Sequence, residues 1–160
     1  MMPRKSDDAE SINIGLISPE CIDRVASFIP LLSSISAKDI AVWEEPKEGN
    51  DGVMILSLEP SYHCAVEELM EALNENHFVQ PFDWGKWQST AMKIYKEPSR
   101  LSKATLRTCI KLITLHLRKD RFVGGHFGAM VSEGHIVAIL RRLAELRKSV
   151  AVRADRDALL

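Results

Sequence analysis

Apolar positions recur along most of this chain at intervals of three and four, the spacing of one helix face. Ile22, Val25, Ala26 and Ile29 form the first such set. Ser18 and Pro19 precede it as N-cap and first helical residue, and Pro30 kinks or ends it. Val66, Leu69, Met70 and Leu73 form a second set in a helix predicted from Tyr62 to about Asn76, with Glu67, Glu68, Glu71 and Glu75 on its other face. Asp83 then reads as an N-cap before Trp84, Trp87, Ala91 and Tyr95, and Pro98 closes that helix. Lys93 and Lys96 lie near its end, where the helix dipole favours cations. The period changes only between the first two sets. IAVW (40–43) and VMILSL (53–58) are short extended runs around the turn-rich EEPKEGNDG. This segment is either a hairpin near 40–58 or a helix opening at Ser36.

The helix predicted over 103–122 has the most one-sided pattern. At 100° per residue, Arg107, Lys111, Thr114, Arg118 and Arg121 fall in one stripe about 80° wide. The rest of the circumference is almost wholly apolar: Leu106, Cys109, Ile110, Leu112, Ile113, Leu115, Leu117 and Phe122. Such a helix belongs at the centre of a fold. A guanidinium on its narrow polar stripe needs a partner, because an unpaired charge is costly to bury. The sequence therefore points to Arg118 as a stabilising residue whose loss costs about 3–5 kcal/mol. Arg142, assigned to the outer face of a last helix, should cost less than about 0.5 kcal/mol.

Three histidines and four glycines cluster within and after the second half of this helix. His116 lies opposite the basic stripe, where a hydrogen-bonded core histidine is the simplest reading. A metal site would need His116, His126 and His135, with Glu133 as a fourth ligand. Their spacings match no zinc pattern, so no metal or other cofactor is expected. Ser102, Ser132 and Cys109 lack the surroundings of an activated nucleophile. Gly124, Gly125 and Gly128 follow a helix rather than a strand, which excludes a Rossmann or P-loop fingerprint and leaves a helix end or a close helix–helix contact where backbone approaches backbone. Short helices over about 126–133 and 135–148 are predicted on either side of Gly134. The last turns Ile136, Ile139, Leu140, Leu143 and Leu146 inward and Arg141, Arg142, Glu145 and Lys148 outward. A helix-turn-helix DNA reader is disfavoured, because its recognition helix would open with the apolar HIVAIL.

Composition narrows the class. With 160 residues, 46% hydrophobic and 27% charged, the chain suits one globular domain. The predicted organisation is a flexible N-terminus (1–13), one mainly α domain (14–150) and a flexible tail (151–160). The fold expected is a compact bundle of five to six helices, with or without the small hairpin. The first ten residues are polar and lack the apolar stretch of a signal peptide. No apolar run approaches a membrane span, and Cys21, Cys64 and Cys109 fit no metal or disulfide spacing, so a cytoplasmic protein is expected. The net charge of −1 conceals a division: residues 1–80 carry 5 basic and 15 acidic side chains, and residues 81–160 carry 16 and 7. The halves either neutralise one another or leave a basic face for an anionic partner.

DWGKW (83–87), TLRTCIKLITLHLRKDRFVGGH (105–126) and EGHIVAILRRLAEL (133–146) together resemble a bacterial domain family of unknown function. Its pattern is a Trp-containing helix start, a T-x-x-x-R-x-x-R-F-x-x-G core, and a helix ending in R-R-L. Here it falls on Thr114, Arg118, Arg121, Phe122, Gly125, Gly134 and Leu143. Gly124 departs from it, standing where an acidic residue is commoner. The resemblance implies a mostly helical cytoplasmic domain and no particular chemistry.

Three functions remain. The favoured one is a non-catalytic protein-interaction or regulatory module, with Arg118 and Arg121 pairing with acids of the N-terminal half and a protein partner or self-association expected. A second is anion or nucleic-acid binding through Arg107, Lys111, Thr114, Arg118, Arg121 and His126, which for duplex DNA should be weak, non-specific and salt-sensitive. A third is an enzyme using His126 or His116 as general base, with Arg118 and Arg121 clamping an anion.

Overall fold

The computed structural model describes residues 11–158. The fold is mainly helical, as the periodicity predicts, but with more and shorter helices than the five or six expected. After a 3-10 turn at Ile14–Leu16 come α1 (Pro19–Ala26), α2 (Ile29–Ser34) and α3 (Ala37–Ile40). Ser18 caps α1 by accepting from the Cys21 amide at 3.2 Å. Pro30 does not end this helix. It lies in the first turn of α2, where its missing N–H costs nothing.

An arm follows, built from two nested antiparallel pairs. β1 (Ala41–Val42) pairs with β4 (Ser61–Tyr62), and beyond them β2 (Lys47–Glu48) pairs with β3 (Met54–Ile55). Both sequence readings of this stretch capture part of it: a helical turn opens after Ser36, and a hairpin follows. Then come α4 (Cys64–Glu75), α5 (Trp84–Lys96), α6 (Pro98–Leu101), α7 (Leu106–Asp120), α8 (His126–Ser132) and α9 (His135–Ala158). The fourth helix begins at Cys64 rather than Tyr62, and His63 caps it, its Nδ1 accepting from the Ala65 amide at 3.1 Å. Asp83 and Thr105 cap α5 and α7 in the same way.

α7 is central. Cys109, Ile110, Leu112 and Ile113 are at most 1% exposed, and α5, α8 and α9 pack around the helix. α9 also lies along α1. It does not stop near 148. It continues through the stretch expected to be a tail, with Val150 buried and the Arg153 guanidinium donating to the carbonyls of Ile14 and Ile17 at 2.9 and 3.2 Å. Most of the expected flexible N-terminus, residues 1–10, lies outside the described residues.

The glycines seat the arm on the α7–α8 corner. A Cβ on Gly124 would lie 2.0 Å from the Leu58 carbonyl oxygen, and one on Gly128 would lie 2.6 Å from the Tyr62 ring. Gly125, at φ +85°, makes the left-handed turn into α8 with the Trp43 indole against it. The close contact expected between helices at these glycines is therefore made with the arm instead, whose Leu58 backbone lies on Gly124 and whose Trp43 and Tyr62 rings lie on Gly125 and Gly128.

Candidate functional site

The basic stripe of α7 does not converge on one point. Arg107 donates to the Ile12 carbonyl at 3.4 Å. Lys111 sits over the rings of Phe82 and Trp87, 5.6 and 5.4 Å from their centroids. Thr114 is buried, accepting from the Gln80 amide at 3.1 Å and donating to the Phe78 carbonyl at 3.2 Å. Its hydroxyl thus pins the segment after α4 to the central helix. Arg118 is half-buried at the end of α7, and Arg121 is exposed in an open cleft with Glu59, Glu67 and Asp120. Among the described residues neither arginine forms an ion pair, so the expected pairing of Arg118 and Arg121 with N-terminal acids is not found there. The two charge halves meet instead where Arg147 binds Asp23 through two hydrogen bonds of 2.6 and 2.9 Å. Arg142 also departs from expectation: its Nε donates to the Ala104 carbonyl at 2.9 Å, and only 21% of its side chain is exposed.

The sixth sequence candidate, His126, lies across α7 from the stripe and belongs to a different assembly. His116 on α7, His126 opening α8 and His135 opening α9 form a continuous hydrogen-bonded chain. His116 Nδ1 is 2.9 Å from His126 Nε2, and His116 Nε2 is 3.1 Å from His135 Nε2. The spacings of ten and nine residues match no sequence pattern, because each histidine comes from a separate helix and only the α7–α8–α9 packing unites them. The arrangement is a chain, not a chelate. His116 uses its two nitrogens on opposite edges of one ring, so the three cannot point at one ion. No group of His, Cys, Asp or Glu among the described residues is arranged to hold a metal.

Burial sets the protonation of this chain. His116 and His135 are 4% and 7% exposed. Burial, reinforced by the other two histidines and Lys119, pushes His116 down to about 2. Burial and then His126 take His135 to about 4. His126 is lowered by its own burial and by Lys119, against a raising effect of Asp120. All three rings are therefore neutral near pH 7, each with one donor and one acceptor nitrogen, which is what a hydrogen-bonded chain requires.

His126 and His116 line a cavity of about 140 Å³ between α5, α7 and α8. Ala91, Met92, Leu115 and Met130 form its apolar wall, and Gln88, Tyr95, Lys119 and Glu133 its polar one. The Tyr95 hydroxyl donates to the Glu133 carboxylate, and the Tyr95 ring stands edge-on to His135 at 5.2 Å. The cation at this cavity is Lys119, not Arg118 or Arg121.

Two residues with structural roles carried no sequence signal. Asp120 Oδ1 accepts from the Tyr62 hydroxyl at 2.5 Å and from the Phe127 amide at 2.8 Å, and the Tyr62 oxygen accepts from the Gly128 amide at 3.2 Å. This node ties the arm to the α7–α8 corner. Burial, and then the bond to Asp120, hold the Tyr62 phenol well above its ordinary range.

Beyond that node the arm is strongly apolar and open to solvent. Val53, Met54, Ile55, Leu56 and Leu58 are all 54% exposed or more, and Phe122, beside the seat of the arm, is 78% exposed. No helix among the described residues is long and apolar enough to cross a membrane.

These features define a small, mainly helical domain with a projecting β-arm and a histidine-lined cavity. The chain belongs to the family described as "Family of unknown function (DUF6508)", whose model matches residues 17–149. No curated protein and no solved structure matches it.

Proposed function

We propose that the chain is a non-catalytic protein-interaction module that associates with a second copy of itself through the outer edge of β3. The observation that carries this reading is the uncharged run GVMILSL (52–58), in which five apolar side chains stand more than half exposed. Edge strands that must remain monomeric usually carry lysine, proline or a bulge. This run has none of the charges or prolines. The charges of the arm, Glu44, Glu45, Lys47, Glu48, Asp51 and Glu59, all lie outside this run. Antiparallel pairing of β3 with the β3 of another copy therefore keeps the paired run itself free of charge, with Asp51 and Glu59 only at its two ends. It also converts a marginal two-stranded ribbon into a four-stranded sheet.

Sedimentation equilibrium tests this. Wild-type protein at ~100 µM is expected to contain dimer, and Ile55→Lys to be monomeric with an unchanged thermal midpoint, since Ile55 is exposed. A wild type that stays monomeric, or an Ile55→Lys variant that still dimerises, overturns the reading.

A further inference from the structure

The cavity beside His126 has no part in that association, and its chemistry is specific. Its volume, about 140 Å³, is close to the ~150 Å³ that accepts one six-membered ring in an apolar protein cavity. Two of its wall residues, Met92 and Met130, are thioethers, which adapt their shape and favour aromatic ring edges. Its formal charges cancel: Lys119 is its one cation and Glu133, held by the Tyr95 hydroxyl, its one anion, while the histidines are neutral.

The histidine chain adds directionality. A neutral imidazole donates from one nitrogen and accepts at the other. If His126 Nε2 donates to His116 Nδ1, then His116 Nε2 donates to His135 Nε2, and His126 Nδ1 is left as an acceptor. If the chain runs the other way, His126 Nδ1 carries the proton and is a donor. Among the described residues no protein group hydrogen-bonds this nitrogen. A hydroxyl, which both donates and accepts, satisfies either direction. A carbonyl or an ether satisfies only one.

We propose that this cavity binds a small, uncharged, planar molecule of the phenol class, its ring between Met92 and Met130 and its hydroxyl on His126 Nδ1.

The test is a titration of the full chain with phenol, anisole and toluene at pH 7.5, read on the ¹³C-resolved Cε1–H signals of the histidines. Phenol is expected to give saturable shifts at His126 and His116 with a dissociation constant of roughly a few millimolar. Anisole and toluene, which lack the hydroxyl proton, are expected to bind at least ~5-fold more weakly. Ala91→Leu, which fills the cavity from its apolar wall, is expected to abolish the phenol shifts. The proposal is overturned if wild type shows no saturable shift up to ~20 mM phenol. It is equally overturned if toluene binds as well as phenol, or if a folded Ala91→Leu variant binds phenol unchanged. Should Ala91→Leu not fold, the wild-type titrations decide alone.

Discussion

At the scale of single residues, a side chain's partner matters more than its position on a helical wheel. Arg118 and Arg142 exchange the roles the periodicity assigns them. Arg118 sits at the C-terminal end of α7, half-buried and without an ion pair among the described residues, so Arg118→Ala should cost less than about 1 kcal/mol. Arg142 holds the Ala104 carbonyl from a largely buried position, so Arg142→Ala should cost about 1–2 kcal/mol. Urea melts of the two variants rank them. If Arg118→Ala proves the more damaging, Arg118 rather than Arg142 is the arginine tied into the fold. The histidines offer a second residue-scale test, with a definite sign. Their folded values lie below the ordinary 6.5, so below that pH the unfolded chain binds protons that the fold excludes. Stability is therefore fully present above about pH 6.5 and is lost as the pH falls towards the folded values. Each of His116 and His135 should remove about 2 kcal/mol between pH 7.5 and pH 5. Urea midpoints at the two pH values measure it, and His135→Gln should flatten the difference appreciably. A midpoint that does not move with pH would show that the rings are not held neutral.

Among elements, the arm and its seat are the least conventional part of the fold. A β-ribbon of two short ladders has little stability of its own. It is held by the Leu58 backbone against Gly124, by the Tyr62 ring against Gly128 and by the Tyr62–Asp120 node. Gly124→Ala forces a methyl group onto the Leu58 carbonyl and should release the base of the arm, at a cost of roughly 2 kcal/mol or more. Tyr62→Phe leaves the shape intact but deprives Asp120 and the Gly128 amide of a partner, for about 1–2 kcal/mol. Hydrogen exchange distinguishes a local from a global effect: in Gly124→Ala the amides of 41–62 should exchange faster than those of α7. Uniform loss of protection would mean that the glycine serves the helical core instead. At these glycines the sequence argued against a phosphate loop and left a helix end or a helix–helix contact. The arm was not legible there, because the approaching segment lies more than sixty residues earlier in the chain.

For the molecule as a whole, the two charge halves are joined, among the described residues, where α9 lies along α1. There Arg147 meets Asp23, and Arg153 reaches the carbonyls of Ile14 and Ile17. A chain ending after Val150 should therefore lose cooperativity at the N-terminal turn and α1, lowering the urea midpoint. An unchanged midpoint would show that the end of α9 is dispensable. The sequence by itself determined the helical class, the centrality of α7, the caps at Ser18 and Asp83, and the family resemblance. All of these rest on residues within a few turns of one another, where periodicity and local hydrogen bonding act directly. The tertiary structure alone decided that three histidines from three helices form one chain, that Arg142 rather than Arg118 is tied down, and that the glycines receive the arm. These are contacts between segments distant in sequence, and their geometry depends on how helices cross, which no local spacing encodes.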